Sequence, residues 1–160
     1  MAMQKLFPIS LFLISALSLV SCKSEPDPTI QEVQLKKLVR TWTLNSIELD
    51  GVNKKTSSEY NNFKLTLSGT YSTAAPDAEY SYSVSGRPQL SPWPSSGKWK
   101  FGTGTPQSQI VRDAGTDNEV AVTYSLQENP LQLTVSFNYQ GSGIAGRTSV
   151  VKGNWELVFN

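Results

Sequence analysis

From Thr41 onward the chain alternates between apolar and polar positions. Phe63, Leu65 and Leu67 share one side of "NFKLTLSGTY" (62–71), with polar residues between them. Val120, Val122, Tyr124 and Leu126 do the same in "EVAVTYSLQ" (119–127). So do Leu131, Leu133, Val135, Phe137 and Tyr139 in "LQLTVSFNYQ" (131–140). A period of two with one apolar face predicts strands solvated on one side, and therefore antiparallel pairing. Further strands are expected at "TWTLNSIEL" (41–49), "EYSYSVSG" (79–86), "GKWKFG" (97–102), "SQIVRD" (108–113) and "SVVKGNWELVF" (149–159). The first of these changes phase midway: Trp42 and Leu44 lie in one register, Ile47 and Leu49 in the other. A β-bulge near Asn45-Ser46 would return all four to one face.

Turn residues at "LDGVN" (49–53), "DAGTDNE" (113–119) and "ENP" (128–130) separate several of these segments. The acids of 113–119 lack the order of a calcium loop and predict a hairpin turn instead. Eight short strands predict an all-β fold, an antiparallel up-and-down eight-stranded β-barrel. Closure removes both sheet edges, which matters in a domain with no disulfide to protect them. A barrel of this width is expected to be filled by its own Phe, Leu, Val and Trp side chains.

Before the strands, "PTIQEVQLKKLVR" (28–40) predicts one short helix. Thr29 and Glu32 have capping-box spacing, and Ile30, Val33 and Leu38 fall near one face. About ten residues are marginal alone, so the helix must lie against the barrel.

The segment "LFLISALSLVSCKSEPDP" (11–28) precedes it. Lys5 and the apolar run Leu11–Val20 read as a secretory signal too short to span a bilayer. Leu19-Val20-Ser21-Cys22 resembles a bacterial lipobox, which implies cleavage before Cys22 and a lipid on its sulfur. Several acyl chains give stable anchoring where one is marginal. The expected organisation is a lipoprotein signal peptide over 1–21, a lipidated N-terminus and tether over 22–29, and the barrel domain over 30–160.

Composition narrows function mainly by exclusion. The 160 residues contain one cysteine and no histidine. With Cys22 committed to lipid, thiol nucleophiles, thiolate metal sites and disulfides are excluded, as are histidine-based catalysis and histidine-ligated metals. No catalytic residues, cofactor or metal are therefore expected, and the protein is read as a non-enzyme. Lys and Arg number 14 against 13 Asp and Glu. No basic cluster stands out, so no nucleic-acid partner is expected.

The stretches "LVRTWTLNSIELDG" (38–51), "GKWKF" (97–101) and "GRTSVVKGNWELVF" (146–159) look like first-strand, mid-barrel and last-strand segments of a known group. Over roughly residues 33–160 the chain resembles the lipocalin-like (calycin-type) small lipoproteins of the Bacteroidota, many of unknown function. True lipocalins open the first strand with Gly-x-Trp, whereas here Arg40 and Thr41 precede Trp42. The resemblance implies a monomeric barrel anchored in the bacterial outer membrane. Acids after the lipidated cysteine, Glu25 and Asp27, resemble a signal for the cell surface rather than the periplasmic face. First and last strands of such a barrel are neighbours, which would place Trp42 and Trp155 together at one end beneath the helix.

Candidate ligand contacts concentrate in two loops and one strand. In "SGRPQLSPWPSSG" (85–97), Trp93 stands between Pro92 and Pro94. It is either a rigid platform for an apolar or saccharide ligand or a lid folded over one barrel end, and Arg87 is a possible anion partner. Tyr80 and Tyr82 share a face with Val84, pointing either into the barrel or outward. Ile144 marks the tip of the glycine-rich loop 140–149. The leading expectation is a small hydrophobic or saccharide ligand at the barrel mouth. The alternative is a structural or protein-interaction module with a solid core, acting within a cell-surface complex. If Cys22 carries the anchor, Cys22→Ala releases the protein from membranes; unchanged partitioning into the detergent phase would refute the assignment.

Overall fold

The computed structural model describes residues 26–56, 58–141 and 151–160. Helix α1 (Ile30–Leu38) leads into β1 (Thr41–Leu49) and a two-residue spur, β2 (Val52–Asn53). After a 3-10 turn at Ser58–Tyr60 come β3 (Lys64–Ser68), β4 (Tyr80–Ser85) and β5 (Ser96–Phe101). The chain continues through β6 (Gln109–Arg112), β7 (Val120–Glu128), β8 (Leu131–Tyr139) and β9 (Gly153–Phe159). From β3 to β9 each strand pairs antiparallel with the next, while β1 pairs with both β3 and β9. The result is the closed, eight-stranded, antiparallel up-and-down barrel that the alternation predicts. The apolar phase of every long strand points inward. Trp42, Phe63, Leu65, Val122, Leu133, Leu157 and Phe159 are all buried there.

Closure depends on β1 serving two neighbours. Thr41–Thr43 pair with Thr66–Lys64 of β3, whereas Leu44–Leu49 pair with Phe159–Trp155 of β9. The register slips between Leu44↔Phe159 and Ser46↔Val158, so Asn45 is the extra residue of a bulge, where the phase change places it. That slip returns Ile47 and Leu49 to the interior, where both are buried. Where β1 parts from β3, Lys55 Nζ donates to the carbonyls of Leu44 (2.9 Å) and Asn45 (2.7 Å). An ammonium thus serves two acceptors that no strand reaches.

Helix α1 covers the end at which β1 begins. The Thr29 hydroxyl accepts from Glu32 N (3.2 Å), giving half of the expected capping box. The Glu32 carboxylate turns instead to Lys36 Nζ, 2.7 Å away. Ile30 is 59% exposed, and the face that packs on the barrel is formed by Leu35 and Leu38 in the last turn. The helix is held most tightly where it runs into β1; Ile30 is exposed, while Gln31, Glu32 and Val33 are half-buried.

Trp42 and Trp155 sit at opposite ends rather than together. Trp42 Nε1 donates to Leu38 O beneath the helix (2.9 Å), whereas Trp155 pairs with Leu49 and donates to Val151 O (2.7 Å). Strand β9 runs toward the helix end and finishes at Phe159. Trp155, four residues earlier, lies about 13 Å nearer the other end at the usual strand rise.

Lys55→Met removes both hydrogen bonds at the β1 bulge without shortening the side chain. It is expected to lower unfolding free energy by about 1–2 kcal/mol, measured by urea denaturation; an unchanged midpoint would show that water serves these carbonyls equally well.

Candidate functional site

The end of the barrel away from α1 is closed by the β4–β5 connection, residues 86–95. It starts at Gly86, whose φ is +64° and where any Cβ would run into the main chain of Asn62. Pro88, Pro92 and Pro94 stiffen the rest of the connection, and no strand or helix forms in it. The connection behaves as a strap across the barrel mouth. Trp93 hangs inward from it, 1% exposed, with its ring edge-to-face against Tyr82 (6.0 Å) and Phe137 (5.4 Å). Of the two roles open to Trp93, the structure gives it the lid. Its faces are covered by the barrel's own side chains, so it is no exposed stacking platform.

Tyr80 and Tyr82 both point inward. Tyr80 lies against Trp99 and Phe101, with ring centroids 5.0 and 6.1 Å away. Tyr82 donates its hydroxyl to Asp113 Oδ2 at 2.7 Å. The residue opposite Tyr82 in β5 is Gly97, and a Cβ there would fall on Asp113 Oδ1 and the Tyr82 hydroxyl. Glycine at this position lets the phenol cross its neighbour strand to reach the carboxylate. Asp113 also accepts from Lys98 N (3.1 Å) and takes a left-handed φ of +53°, which aspartate tolerates better than most residues. The rest of 113–119 is a tight turn, in which Glu119 accepts from Gly115 N at 2.7 Å.

Next to Asp113 is the residue that sequence reasoning missed. Arg112 is fully buried, with its side chain inside the barrel. Nη1 donates to Pro92 O of the strap at 3.0 Å, and Nε lies 3.4 Å from Asp113 Oδ2. Its Cζ lies 5.0 Å from the Trp93 ring centre and 5.5 Å from that of Phe137. Burial lowers its pKa, opposed by Tyr82 and Asp113, yet a guanidinium remains charged at any ordinary pH. The signal was present in "SQIVRD": Arg112 shares the inward phase with Ile110. A charge in that phase beside an acid is the mark of a buried pair.

Arg87, half-buried, turns its Nη1 back to Pro88 O at 3.4 Å. Ile144 and Cys22, with the whole 1–21 segment, lie outside the described residues.

Two hollows of similar size open on the surface. One, of about 340 Å³, lies beside α1 between Leu35, Val39 and the Gly69–Tyr71 segment, close to where the chain enters the domain. The other, of about 360 Å³, opens at the strap end. Tyr60 and Trp155 form its floor, Gln89 and Leu90 of the strap its wall, and Lys54 and Glu59 stand at the rim. Leu90 is 40% exposed. An aromatic and aliphatic lining with a few polar groups at the edge suits a small amphipathic molecule.

No protein-family model, curated protein or solved structure matches the chain.

The buried phenols tie stability to pH. Burial and the Glu59 charge push Tyr60 up to about 12. Tyr82 is raised further by burial, its hydrogen bond to Asp113 and that carboxylate's charge, and Tyr124 by burial. Each phenol holds its proton more tightly folded than unfolded. Their contribution is complete below the unfolded value near 10 and is lost as pH rises above it. Urea midpoints are expected to be level from neutral pH to about 9.5 and to fall beyond it. Tyr82→Phe should cost about 1.5–3 kcal/mol at neutral pH and make the alkaline fall shallower; an alkaline limb as steep as the parent's would remove Tyr82 from the linkage.

Proposed function

We propose that the protein is a non-enzymatic, lipid-anchored lipoprotein of the bacterial envelope that binds a small hydrophobic or saccharide ligand at its barrel mouth. On this reading it is a lipocalin-like small lipoprotein of the Bacteroidota type, held in the outer membrane through Cys22 and displayed at the cell surface. The observation that carries the binding role is the strap-end cleft of about 360 Å³, with Tyr60 and Trp155 below and Leu90 at its side. Its volume lies at the lower end of the range for small-molecule sites. The mouth cleft carries this reading because, with the strap in place, Trp93, Tyr80, Tyr82 and Arg112 fill the barrel interior.

A second reading has its own support. A solid core and the exposed apolar side chains Leu90 and Val52 also suit an interaction module that meets a protein partner within a surface complex.

Native mass spectrometry of protein purified from its host membranes separates the two. The binding reading expects one small molecule to co-purify and Leu90→Asp to lose it, with about a tenfold or greater drop in occupancy. Ligand-free protein that instead co-purifies with a stoichiometric polypeptide would replace this reading with the second.

A further inference from the structure

Trp93 is not fastened as the other tryptophans are. Trp42, Trp99 and Trp155 donate their indole N–H to the carbonyls of Leu38, Ser81 and Val151 at 2.9, 3.1 and 2.7 Å. Trp93 is as deeply buried, yet its Nε1 has no acceptor. Beneath it, Nη2 of the fully buried Arg112 has no acceptor either, and Nε has only the ion-pair contact with Asp113 at 3.4 Å. Buried donors are almost always paired in native cores. Two wholly unpaired donors on two stacked side chains mark a contact that is not fully made; elsewhere among the described residues only the buried Tyr80 hydroxyl is left so.

We propose that Pro92-Trp93 is a built-in substitute for a ligand. Arg112 then anchors a site beneath the strap that takes an uncharged aromatic molecule carrying a carbonyl or amide oxygen. The strap displays the required chemistry itself. It offers Arg112 Nη1 an acceptor oxygen at 3.0 Å and a flat ring 5.0 Å from Cζ, with that ring edge-on to Phe137 and Tyr82. A molecule that displaces the strap must replace both contacts. One not bound to a main chain can also present its oxygen to Nη2, which Pro92 O leaves unserved.

Charge narrows the class. Arg112 already faces the Asp113 carboxylate at 3.4 Å, so an entering carboxylate would add an unmatched negative charge in a dry interior. An amide adds none.

The strap is built to move as one piece. It opens at Gly86, and its three prolines keep it stiff. Among the described residues, its main-chain N–H and C=O groups are held chiefly by Val84 N to Ser95 O, Trp93 N to Ser91 Oγ and the Arg112 contact itself. This site is separate from the mouth cleft and does not depend on it.

The test uses the full chain labelled with 5-fluorotryptophan, the Trp93 resonance being assigned through Trp93→Phe. Indole-3-acetamide is expected to shift that resonance saturably toward its solvent-exposed position and to leave the other tryptophans in place. Indole-3-acetate should bind about tenfold more weakly or worse. Trp93→Ala removes the competing side chain and should bind indole-3-acetamide at least about tenfold more tightly than the parent. Adding Arg112→Met should abolish the preference for indole-3-acetamide over indole, whereas Leu90→Asp should change none of these results. A Trp93 resonance unmoved at millimolar indole-3-acetamide overturns the proposal, and that reading stands even if Trp93→Ala fails to fold. Equal affinity of a folded Trp93→Ala variant for indole and indole-3-acetamide overturns it as well, since that describes a passive cavity.

Discussion

The ladder between β1 and β9 is the contact on which the barrel rests. Without it the same strands would form an open sheet with two long unpaired edges, and the apolar face would have nothing to enclose. The ladder forms because β1 divides its length between two partners, its first residues going to β3 and the remainder to β9. The Asn45 bulge lets one strand do both while keeping Trp42 and Ile47 on the same side. Lys55 completes the seam where the ladder to β3 ends. The fold therefore depends on a local irregularity as much as on the regular alternation around it.

Closure also decides where recognition can occur. Eight strands enclose a space that Trp, Tyr, Phe and Leu side chains fill, and each end has its own cover: α1 at one, the strap at the other. Among the described residues the one fully buried charged side chain, Arg112, lies at the strap end. There Asp113, Tyr82 and Arg112 form a hydrogen-bonded and charged cluster under Trp93. Burying a guanidinium beside a carboxylate is a weak source of stability, and apolar residues of similar volume often do better. The cluster lies at the mouth, in contact with the strap through Pro92 and Trp93.

The fold was legible because alternation is a strong signal. It located the eight barrel strands and the bulge in the first, while the capping-box spacing of Thr29 and Glu32 located the short helix ahead of them. It misplaced what depends on distance along a strand or on tertiary contact. Trp42 and Trp155 share neighbouring strands, but only their register shows that they plug opposite ends. On the helix Leu38 is buried as expected and Val33 half-buried, but Ile30 is exposed and Leu35, not among the residues expected there, is buried. The candidate site was legible in part. The strap and its tryptophan were singled out, yet whether Trp93 pointed in or out rested on a loop path that no local pattern encodes. Arg112 escaped notice because charged residues are normally assigned to the solvent face, although its phase with Ile110 argued otherwise. The Tyr82–Asp113 bond crosses Gly97, a meeting of three segments that only the assembled sheet reveals.

The two ends of the barrel also differ mechanically. The chain enters through α1 at the start of β1, and the mouth lies at the far end of the same strands. A pull between that entry and anything held at the mouth runs parallel to the strands. The hydrogen bonds flanking β1 would then share the load in shear and must fail together, not open one after another from an end. Forced unfolding is governed by the rate of that rupture, not by equilibrium stability. A barrel with only ordinary thermodynamic stability can in this way be stiff along the direction of its strands.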